Sequence, residues 1–228
     1  MNAEFDKYAK AYSHLVDDPI KDRFVSAPGF FHRRKHFLIR DFLARKQMAP
    51  SRMSWLDIGC GKGELLHIAG SAFARVAGCD PSLEMVKECR GIEVLQQPSP
   101  IELPFPGGSF DLVTAVCVYH HVDRAERHDL TCSVQRVLKR EGIFCIIEHN
   151  PWNPMTQLIV RRCPLDVDAQ LLTSFATSRL MLSAGLRPLE KNYFLYLPER
   201  LFARVGWMED ALRSWPIGGQ FALFARKP

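Results

Sequence analysis

The sequence predicts an α/β domain whose mostly parallel sheet carries helices on both faces. Three observations predict this fold. The apolar run 55–58 leads into the turn Gly-Cys-Gly-Lys-Gly at residues 59–63, and helical spacing of apolar residues follows. A second apolar run ends at the acidic residue Asp80. Apolar runs and helical patterns then alternate as far as residue 148, and such alternation is typical of a parallel sheet covered by helices.

Each element follows from the spacing of its apolar residues and from its boundary residues. Ser82 is a typical helix N-cap, and Gly185 is a typical residue just after a helix end. Residues 110–119 are almost wholly apolar, as in a central strand buried on both faces. In chain order, the predicted elements are helix 64–73, strand 75–79, helix 82–89, strand 92–95, strand 110–119, helix 123–139, strand 143–148, helix 174–184 and a closing pair of strands, 189–197 and 220–226.

Two segments lie outside this alternation. Residues 1–50 precede the first strand and are predicted to be helical, with a basic amphipathic run over residues 30–47. Residues 150–173 are rich in proline and asparagine at their start and follow the fifth strand. Because ligands of open α/β sheets bind beyond the carboxyl ends of the strands, this insertion is expected to line the substrate site. We interpret residues 1–228 as one domain: an N-terminal helical segment (1–50), the half that carries the glycine-rich turn (51–149), the insertion (150–173) and a C-terminal half of the sheet (174–228).

The composition is that of an ordinary globular protein. Of the 228 residues, 47% are hydrophobic and 24% are charged, and the net charge is +5. Short basic clusters at residues 33–35 and 161–162 are interpreted as solvated surface rather than as a nucleic-acid groove. Seven cysteines without a C-x-x-C pair indicate a reducing compartment. The polar N-terminus and the lack of a long apolar run predict a cytoplasmic protein without a membrane span.

The glycine-rich turn excludes two common ligand classes. A phosphate-binding loop needs Ser or Thr after its lysine, and Lys62 is followed by Gly63. A dinucleotide turn needs a third glycine where Glu64 stands. The remaining spacing, G-x-G-x-G, lets a backbone approach a ligand closely, and the helix N-terminus adds unpaired N–H groups. The alternative is a turn that binds no ligand. Asp80 argues against it, because an acidic residue about twenty residues after such a turn is typically the one that binds a ribose.

This spacing resembles motif I of the class I S-adenosylmethionine (SAM) dependent methyltransferases, and the similarity extends over nearly the whole chain. The closest likeness is to the small-molecule group that includes ubiquinone and menaquinone methyltransferases; residues 103–111 resemble that group's "LPFPDGSFD" loop. The resemblance implies a Rossmann-like fold with a seven-stranded, mostly parallel sheet, helices on both faces and an antiparallel last strand. It also implies SAM as the cofactor and S-adenosyl-L-homocysteine as its product.

The resemblance makes residues 1–50 a lid and residues 51–149 the cofactor half, and it also assigns cofactor-binding positions. It places motif I around the methionine part, Asp80 on the ribose, the residues after Asp80 near the adenine, Cys117 beside the sulfonium, and a lid helix at residues 5–12 over the cofactor. Ser99 stands where the family usually has an acidic residue on the adenine, so that contact loses charge assistance. Tyr8 and Tyr12 can equally be helix-packing residues. The assigned positions are Tyr12, Asp57, Gly59, Cys60, Gly61, Gly63, Asp80, Pro81, Ser82, Met85, Ser99, Pro100 and Cys117.

Methyl transfer needs mainly proximity and orientation, plus a base if the nucleophile carries a proton. His149 is the first candidate base, because it follows the fifth strand and imidazole titrates near neutrality. Glu148 is expected to orient it or to bind substrate, and His121 is a further candidate. Alternatively, His149 and Asn150 only fix the Asn-Pro turn. His120 and His121 are adjacent and expected to point apart; without a third ligand at metal spacing, no metal site is expected.

Three functions remain open. The first is methylation of a small-molecule acceptor, with O-methylation of a sugar, lipid-linked or phenolic metabolite favoured. Residues 148–156, 163–169 and 216–221 resemble a bacterial subgroup loosely associated with sugar or polyprenol metabolism. Asp166 and Asp168 either bind hydroxyls of such a substrate or lie in a solvated turn. The other functions are methylation of nucleic acid or protein, and SAM binding without transfer. Nucleic acid is not the expected partner, and the oligomer is expected to be a monomer or homodimer.

Overall fold

A computed structural model describes residues 29–228, whose centre is a seven-stranded sheet. The strand order is β3-β2-β1-β4-β5-β7-β6. Strand β7 is antiparallel to both neighbours, and every other pair is parallel. This arrangement confirms the predicted fold class. The strands are β1 (Ser54–Ile58), β2 (Arg75–Asp80), β3 (Glu93–Gln96), β4 (Phe110–Val116), β5 (Leu138–His149), β6 (Arg187–Phe194) and β7 (Gln220–Arg226).

Eight α-helices lie within the described residues, and short 3-10 helices separate some of them. The α-helices are α1 (Phe30–Arg45), α2 (Glu64–Ala69), α3 (Leu83–Glu88), α4 (Arg127–Val137), α5 (Pro154–Arg162), α6 (Ser174–Ser183), α7 (Glu199–Val205) and α8 (Trp207–Leu212). Four 3-10 helices cover Pro50–Arg52, Gly70–Ala72, Tyr119–His121 and Pro164–Asp166.

The core has two layers, one on each face of the sheet. Helices α1 and α2 cover one face, where Phe42 stacks on Phe224 with ring centroids 3.9 Å apart. Helices α4 and α6 cover the other face through residues such as Leu130 and Met181, which are fully buried. Alternate residues of one strand face opposite layers. Both layers therefore fix the strand ends, where the candidate site lies.

Several predicted boundaries differ from the observed ones. The strand predicted over residues 110–119 ends at Val116, because Cys117 adopts a left-handed backbone (φ 57°) and a 3-10 turn follows. The fifth strand begins at Leu138, earlier than predicted, and the preceding helix is shorter at both ends. The sequence did not predict α5, α7 and α8. For α7 the reason is burial. None of its residues is buried, so it lacks the regular apolar face by which a helix is predicted from sequence.

The basic cluster at residues 33–35 is not the solvated surface expected. Arg34 and Lys35 are 8% and 7% exposed, and Arg34 pairs with the buried Glu209 of α8. Long cationic side chains bury their stems and still reach a polar partner, which composition does not reveal. Within residues 29–228 no helix combines the length and apolar character that crossing a membrane requires. The predicted lid helix with Tyr8 and Tyr12 lies outside the described residues.

Candidate functional site

The turn between β1 and α2 exposes backbone to an open space. Gly59, Gly61 and Gly63 all have positive φ, from 56° to 77°. A Cβ on Gly59 would lie 2.6 Å from the Val118 side chain, so glycine is required there for close packing. A Cβ on Gly61 would meet only a Glu64 carboxylate oxygen, at 3.9 Å, among the described residues. Gly61 therefore borders a space that a ligand can enter.

Asp80 ties the glycine turn to the start of α3. Its Oδ2 accepts a hydrogen bond from the Gly61 backbone N–H at 2.9 Å, and its Oδ1 accepts one from the Ser82 N–H at 2.9 Å. Ser82 in turn caps α3 by accepting from the Met85 N–H. Ser82 and Met85 are buried, so both act in folding this corner; Pro81 is half-buried. A carboxylate offers about four acceptor positions, so these bonds are compatible with a ribose diol on Asp80.

The loop with Ser99 and Pro100 is held by a residue that the sequence did not single out. Gln97 is 3% exposed, and its side-chain NH2 donates to the backbone carbonyls of Ser99 (2.8 Å) and Pro100 (3.1 Å). The Gln97 backbone N–H donates to the Asp80 carbonyl at 2.9 Å. Gln97 therefore joins the Ser99 loop to the corner that carries Asp80.

Asp57 lies under the turn, buried at 3% exposure, and accepts a hydrogen bond from the Thr114 hydroxyl. Burial raises the pKa of Asp57 to about 7, against the opposing effects of Thr114 and of the Lys35 charge. Cys60 is also buried, and its backbone N–H donates to the Cys79 carbonyl, which fixes the turn on β2.

Cys117 stands at the carboxyl end of β4 in a polar surrounding. The Lys35 ammonium lies 3.9 Å from its sulfur, and the Gln220 amide donates to that sulfur at 3.4 Å. Burial would raise the pKa of Cys117, but the charges of Lys35 and His149 and a hydrogen bond from His149 lower it to about 7. Gln220 is 7% exposed, and its Oε1 has no hydrogen-bond partner within residues 29–228. An unpaired buried acceptor beside a partly exposed cysteine is consistent with a ligand at this point.

Glu148 holds His120 and not His149. Its Oε2 lies 2.6 Å from Nδ1 of His120, and its Oε1 accepts the Tyr119 backbone N–H at 2.7 Å. Glu148 is fully buried, and both of its carboxylate oxygens have protein partners. It faces His120 and not His149, because neighbours on a strand project to opposite faces. Burial alone lowers the pKa of His120, but the charge of Glu148 and bonds to Asp166 and Glu148 raise it to about 10.

His120 and His121 do not point apart as expected. Both Nε2 atoms lie near Oδ1 of Asp166, at 3.3 Å for His120 and 3.4 Å for His121. The ring centroids are 4.0 Å apart. The two residues belong to a 3-10 helix and not to an extended strand, so their side chains need not alternate. Burial, followed by the charge of His120, lowers the pKa of His121 to about 4.

The insertion 150–173 is fastened over these strand ends. The backbone N–H of Gln170 donates to the His120 carbonyl at 2.8 Å, and Arg127 donates to the Gln170 carbonyl at 2.7 Å. In the chain, Asp166 lies between α5 and Gln170, so these contacts hold it near His120. Asp166 thus joins the two histidines as a third polar residue, which the spacing in the sequence did not reveal. Asp168 is exposed and takes no part in the cluster.

Of the two predicted roles, chemistry at the strand ends and fixing of the Asn-Pro turn, His149 is placed for the first and Asn150 performs the second. Asn150 fixes the turn: its amide donates to the carbonyls of Pro216 (3.0 Å) and Gly218 (2.7 Å), and its oxygen accepts the Trp152 N–H. His149 is instead half-exposed, hydrogen-bonds Cys117 and has its ring 5.3 Å from that of His120. Only His149 of this pair is available for chemistry at the strand ends.

The arrangement fits an adenosyl sulfonium. The open space at Gly61 suits an amino-acid part held by backbone groups, the Asp80 carboxylate can accept hydroxyl groups, and Cys117 contacts His149 at the end of β4. Ser99 is half-buried and follows β3. It is the predicted adenine contact at which this chain has a serine where the resembled family usually has an acidic residue. The residues present thus suit SAM in the way that the motif spacing predicted.

Comparisons with known proteins agree with this geometry. Residues 56–146 match the family described as methyltransferase domain. An uncharacterised methyltransferase of Bacillus subtilis (strain 168) is 32% identical over 102 residues, which is 41% of this chain and 40% of that protein. A SAM-dependent methyltransferase of Thermotoga maritima superposes over 100% of both chains with a TM-score of 0.70 and 17% identity.

A second similar structure holds ligands. It is geranyl diphosphate C-methyltransferase of Streptomyces coelicolor A3(2), solved with Mg²⁺, geranyl-S-thiolodiphosphate and S-adenosyl-L-homocysteine. It has a TM-score of 0.61 at 18% identity and covers 86% of this chain and 76% of that one. The chain spans 40% and 48% of the lengths of the first curated relatives that it matches. Residues 56–146 are therefore similar to methyltransferase domains, and the chain has the Rossmann-like fold of SAM-dependent methyltransferases.

Proposed function

We propose that this chain is a SAM-dependent methyltransferase that methylates an oxygen of a small-molecule acceptor. The observation that carries the proposal is that two groups of residues, one suited to the cofactor and one to the acceptor, lie along the same edge of the sheet. We call these groups the first and second half-sites. The glycine turn and Asp80 form the first, and Cys117, His149 and the His120 cluster form the second. Both lie at the carboxyl ends of parallel strands, where open α/β sheets bind ligands.

The bound cofactor supplies a methyl group on a positively charged sulfur. The protein's own residues then have three tasks. The turn at Gly61 and the Asp80 carboxylate hold the amino-acid and ribose parts, so that the methyl group faces β4. Cys117, drawn toward the thiolate by Lys35, places negative charge near the sulfonium. His149 takes the proton of the acceptor hydroxyl through a ring nitrogen as the new bond forms.

A small acceptor is favoured by the enclosure of the second half-site. The insertion is bonded to His120 and Arg127 across the strand ends, and Asn150 fastens its start to the segment before β7. Enclosed sites bury most of a small ligand. The cluster in this half-site consists of two histidines and a carboxylate, which suit hydroxyl groups, whereas a nucleic-acid enzyme needs an extended basic groove.

The finer assignments belong to the same proposal. They are the likeness to the ubiquinone and menaquinone group, a sugar, lipid-linked or phenolic acceptor, a cytoplasmic location and a monomer or homodimer. The division of the chain into a cofactor half and an acceptor insertion is also proposed. Methylation of nucleic acid or protein and SAM binding without transfer remain the competing functions, and the experiment below separates them.

Isothermal titration of the full chain with SAM and with S-adenosylhomocysteine tests the cofactor. Micromolar binding of both is expected, because the turn and Asp80 contact parts that the two ligands share. Transfer is then measured with radiolabelled SAM against glycosides, phenols, a duplex oligonucleotide and a protein mixture in parallel. Label in a phenol or glycoside supports the proposal. Label in nucleic acid or protein, or binding with no label in any acceptor, contradicts the acceptor class.

A further inference from the structure

Three side chains with metal-ligand chemistry converge beyond the carboxyl end of β4. They are His120, His121 and Asp166, and one ligand atom from each lies within 4.8 Å of the others. The residues come from two elements far apart in the sequence, the 3-10 helix after β4 and the 3-10 helix of the insertion. Only the tertiary fold brings them together.

The distances have the size that a bound ion requires. Oδ1 of Asp166 is 3.3 Å from Nε2 of His120 and 3.4 Å from Nε2 of His121. A tetrahedral ion with bonds of about 2.0 Å to nitrogen and oxygen separates neighbouring ligand atoms by roughly 3.3 Å. The two distances to Asp166 match this separation, and all three ligand atoms lie within 4.8 Å of one another.

The residue behind His120 is the second, independent observation. Oε2 of Glu148 lies 2.6 Å from Nδ1 of His120, and Glu148 is fully buried. Histidine ligands of metals nearly always donate their other ring N–H to a carboxylate or carbonyl. Such a bond keeps a proton on Nδ1, and a bound metal ion would take the place of the Nε2 proton that faces Asp166 in the metal-free protein. An ordinary buried ion pair does not require the second histidine to approach the same oxygen.

We propose that His120, His121 and Asp166 form a binding site for a divalent transition-metal ion of the zinc class, with Glu148 as the residue that positions His120. Two imidazoles and one carboxylate are ligands that suit Zn²⁺ and its neighbours. Three protein ligands leave a fourth position for water or substrate. His121 and Asp166 keep 22% and 11% of their side chains exposed, so an ion can reach the cluster from solvent.

The site would orient the acceptor, and this role, unlike metal binding itself, rests on the proposed function. An acceptor hydroxyl at the fourth position has a lowered pKa. Its proton passes to His149, its oxygen bonds to the methyl carbon, and the methyl–sulfur bond breaks with its electron pair leaving on sulfur. The ring of His149 lies 5.3 Å from the ring of His120, within reach of a shared substrate.

The test is titration of the tag-free full chain, freed of metal by a chelator, with Co²⁺ followed by its visible absorption and with Zn²⁺ in competition. One ion per chain is expected to bind in the micromolar range or tighter, with bands typical of four or five ligands. Asp166→Asn and His121→Ala are expected to weaken binding at least tenfold. Glu148→Gln is expected to weaken it about 10- to 100-fold, as removal of an orienting carboxylate does.

Asp168→Asn is the matched control, because it removes an exposed carboxylate from the same insertion. It is expected to bind Co²⁺ like the unaltered chain. Absence of stoichiometric binding, or binding that Asp166→Asn and His121→Ala leave unchanged, overturns the metal site. Thermal melts of each variant show that it is folded, and titration with SAM in the same samples is read separately. SAM binding without metal binding contradicts only this site, whereas metal binding without SAM binding contradicts only the proposed function.

Discussion

Glu148 and His120 form a buried pair across two neighbouring strand ends, with Oε2 and Nδ1 2.6 Å apart. Glu148 also accepts the Tyr119 N–H, so one carboxylate fixes both the 3-10 turn after β4 and the ring in it. Burial raises the pKa of Glu148, but the charge of His120 outweighs it, and the pKa is lowered. The pair thus determines where Nε2 of His120 lies.

Removal of the Glu148 carboxylate is expected to destabilise the protein. Glu148→Ala leaves a buried cation and an unpaired N–H, which costs roughly 3–5 kcal/mol in the free energy of unfolding. Glu148→Gln keeps an acceptor and should cost about 1–2 kcal/mol. Urea unfolding with chelator present measures both. Glu93→Ala, which breaks the exposed pair with Arg75, is the control and should cost less than about 1 kcal/mol. Equal losses in all three variants would refute a special role for Glu148.

Gly61→Arg is expected to abolish SAM binding in a folded protein. Gly61 has φ 56° and faces open space, so a large side chain fits but occupies the ligand's place. Gly108→Arg is the matched control: φ is 66°, nothing lies within 4 Å of its Cβ position, and it belongs to the loop before β4. Both variants carry the same backbone strain, about 1–2 kcal/mol. Calorimetry should find SAM affinity lost only in the first; retained affinity there would remove the glycine turn from the cofactor site.

His149→Ala is expected to reduce turnover while leaving SAM affinity unchanged. The loss of a general base typically lowers kcat about 10²- to 10⁴-fold. His149 contacts Cys117 at the acceptor end and is remote in the sheet order from the Asp80 corner. His128→Ala, on the exposed face of α4, serves as the control for a general histidine effect. Steady-state rates and SAM titration are compared, and full turnover by His149→Ala would exclude it as the base.

Cys117 is expected to alkylate near neutral pH much faster than the buried Cys79. Because Lys35 and His149 lower its pKa to about 7, half of the thiol is ionised there, whereas burial raises the pKa of Cys79 to a value far above neutrality. Peptide mass spectrometry after brief iodoacetamide treatment at several pH values gives each cysteine's rate. Lys35→Met should move the half-maximal rate of Cys117 to higher pH. An unchanged profile in that variant would show that Lys35 does not act on the thiol.

Asp57 is expected to give an unusual pH dependence of stability. Its pKa rises from 3.8 to about 7 on folding, mainly through burial, so the folded state binds more protons than the unfolded state between these values. The contribution of the protonated Asp57 to the free energy of unfolding is fully present below about pH 4 and is lost as pH rises to about 7. Asp57→Asn should therefore gain stability relative to the unaltered chain across this window.

Asp111 is the control for Asp57, because folding lowers its pKa instead of raising it. Hydrogen bonds from Lys139 and Ser54 outweigh burial and lower the pKa of Asp111, so its contribution is present above about pH 4 and is lost in acid. Asp111→Asn should then lose more stability at neutral pH than at pH 3. Chemical unfolding of both variants from pH 3 to 8 measures the slopes, and parallel slopes for the two would contradict the burial argument.

The sequence by itself determined the fold class and the cofactor turn. Both are local in the chain: glycine positions with positive φ, an acidic residue after a strand, and apolar runs whose period reveals strand or helix. Ser82 as N-cap and the closing strand at residues 220–226 were also predictable for this reason. Boundaries were less accurate where a single residue such as Cys117 ends a strand by its backbone conformation.

Only the tertiary structure decided which polar groups meet. Lys35 belongs to a basic cluster that composition assigns to the surface, yet it lies beside Cys117. Asp166 is 46 residues from His120 in the chain and 3.3 Å from it in space. Glu148 orients His120 and not its own neighbour. These pairings depend on strand order and on the path of the insertion, because contacts between distant segments arise from packing of whole elements and leave no periodic signal in the sequence.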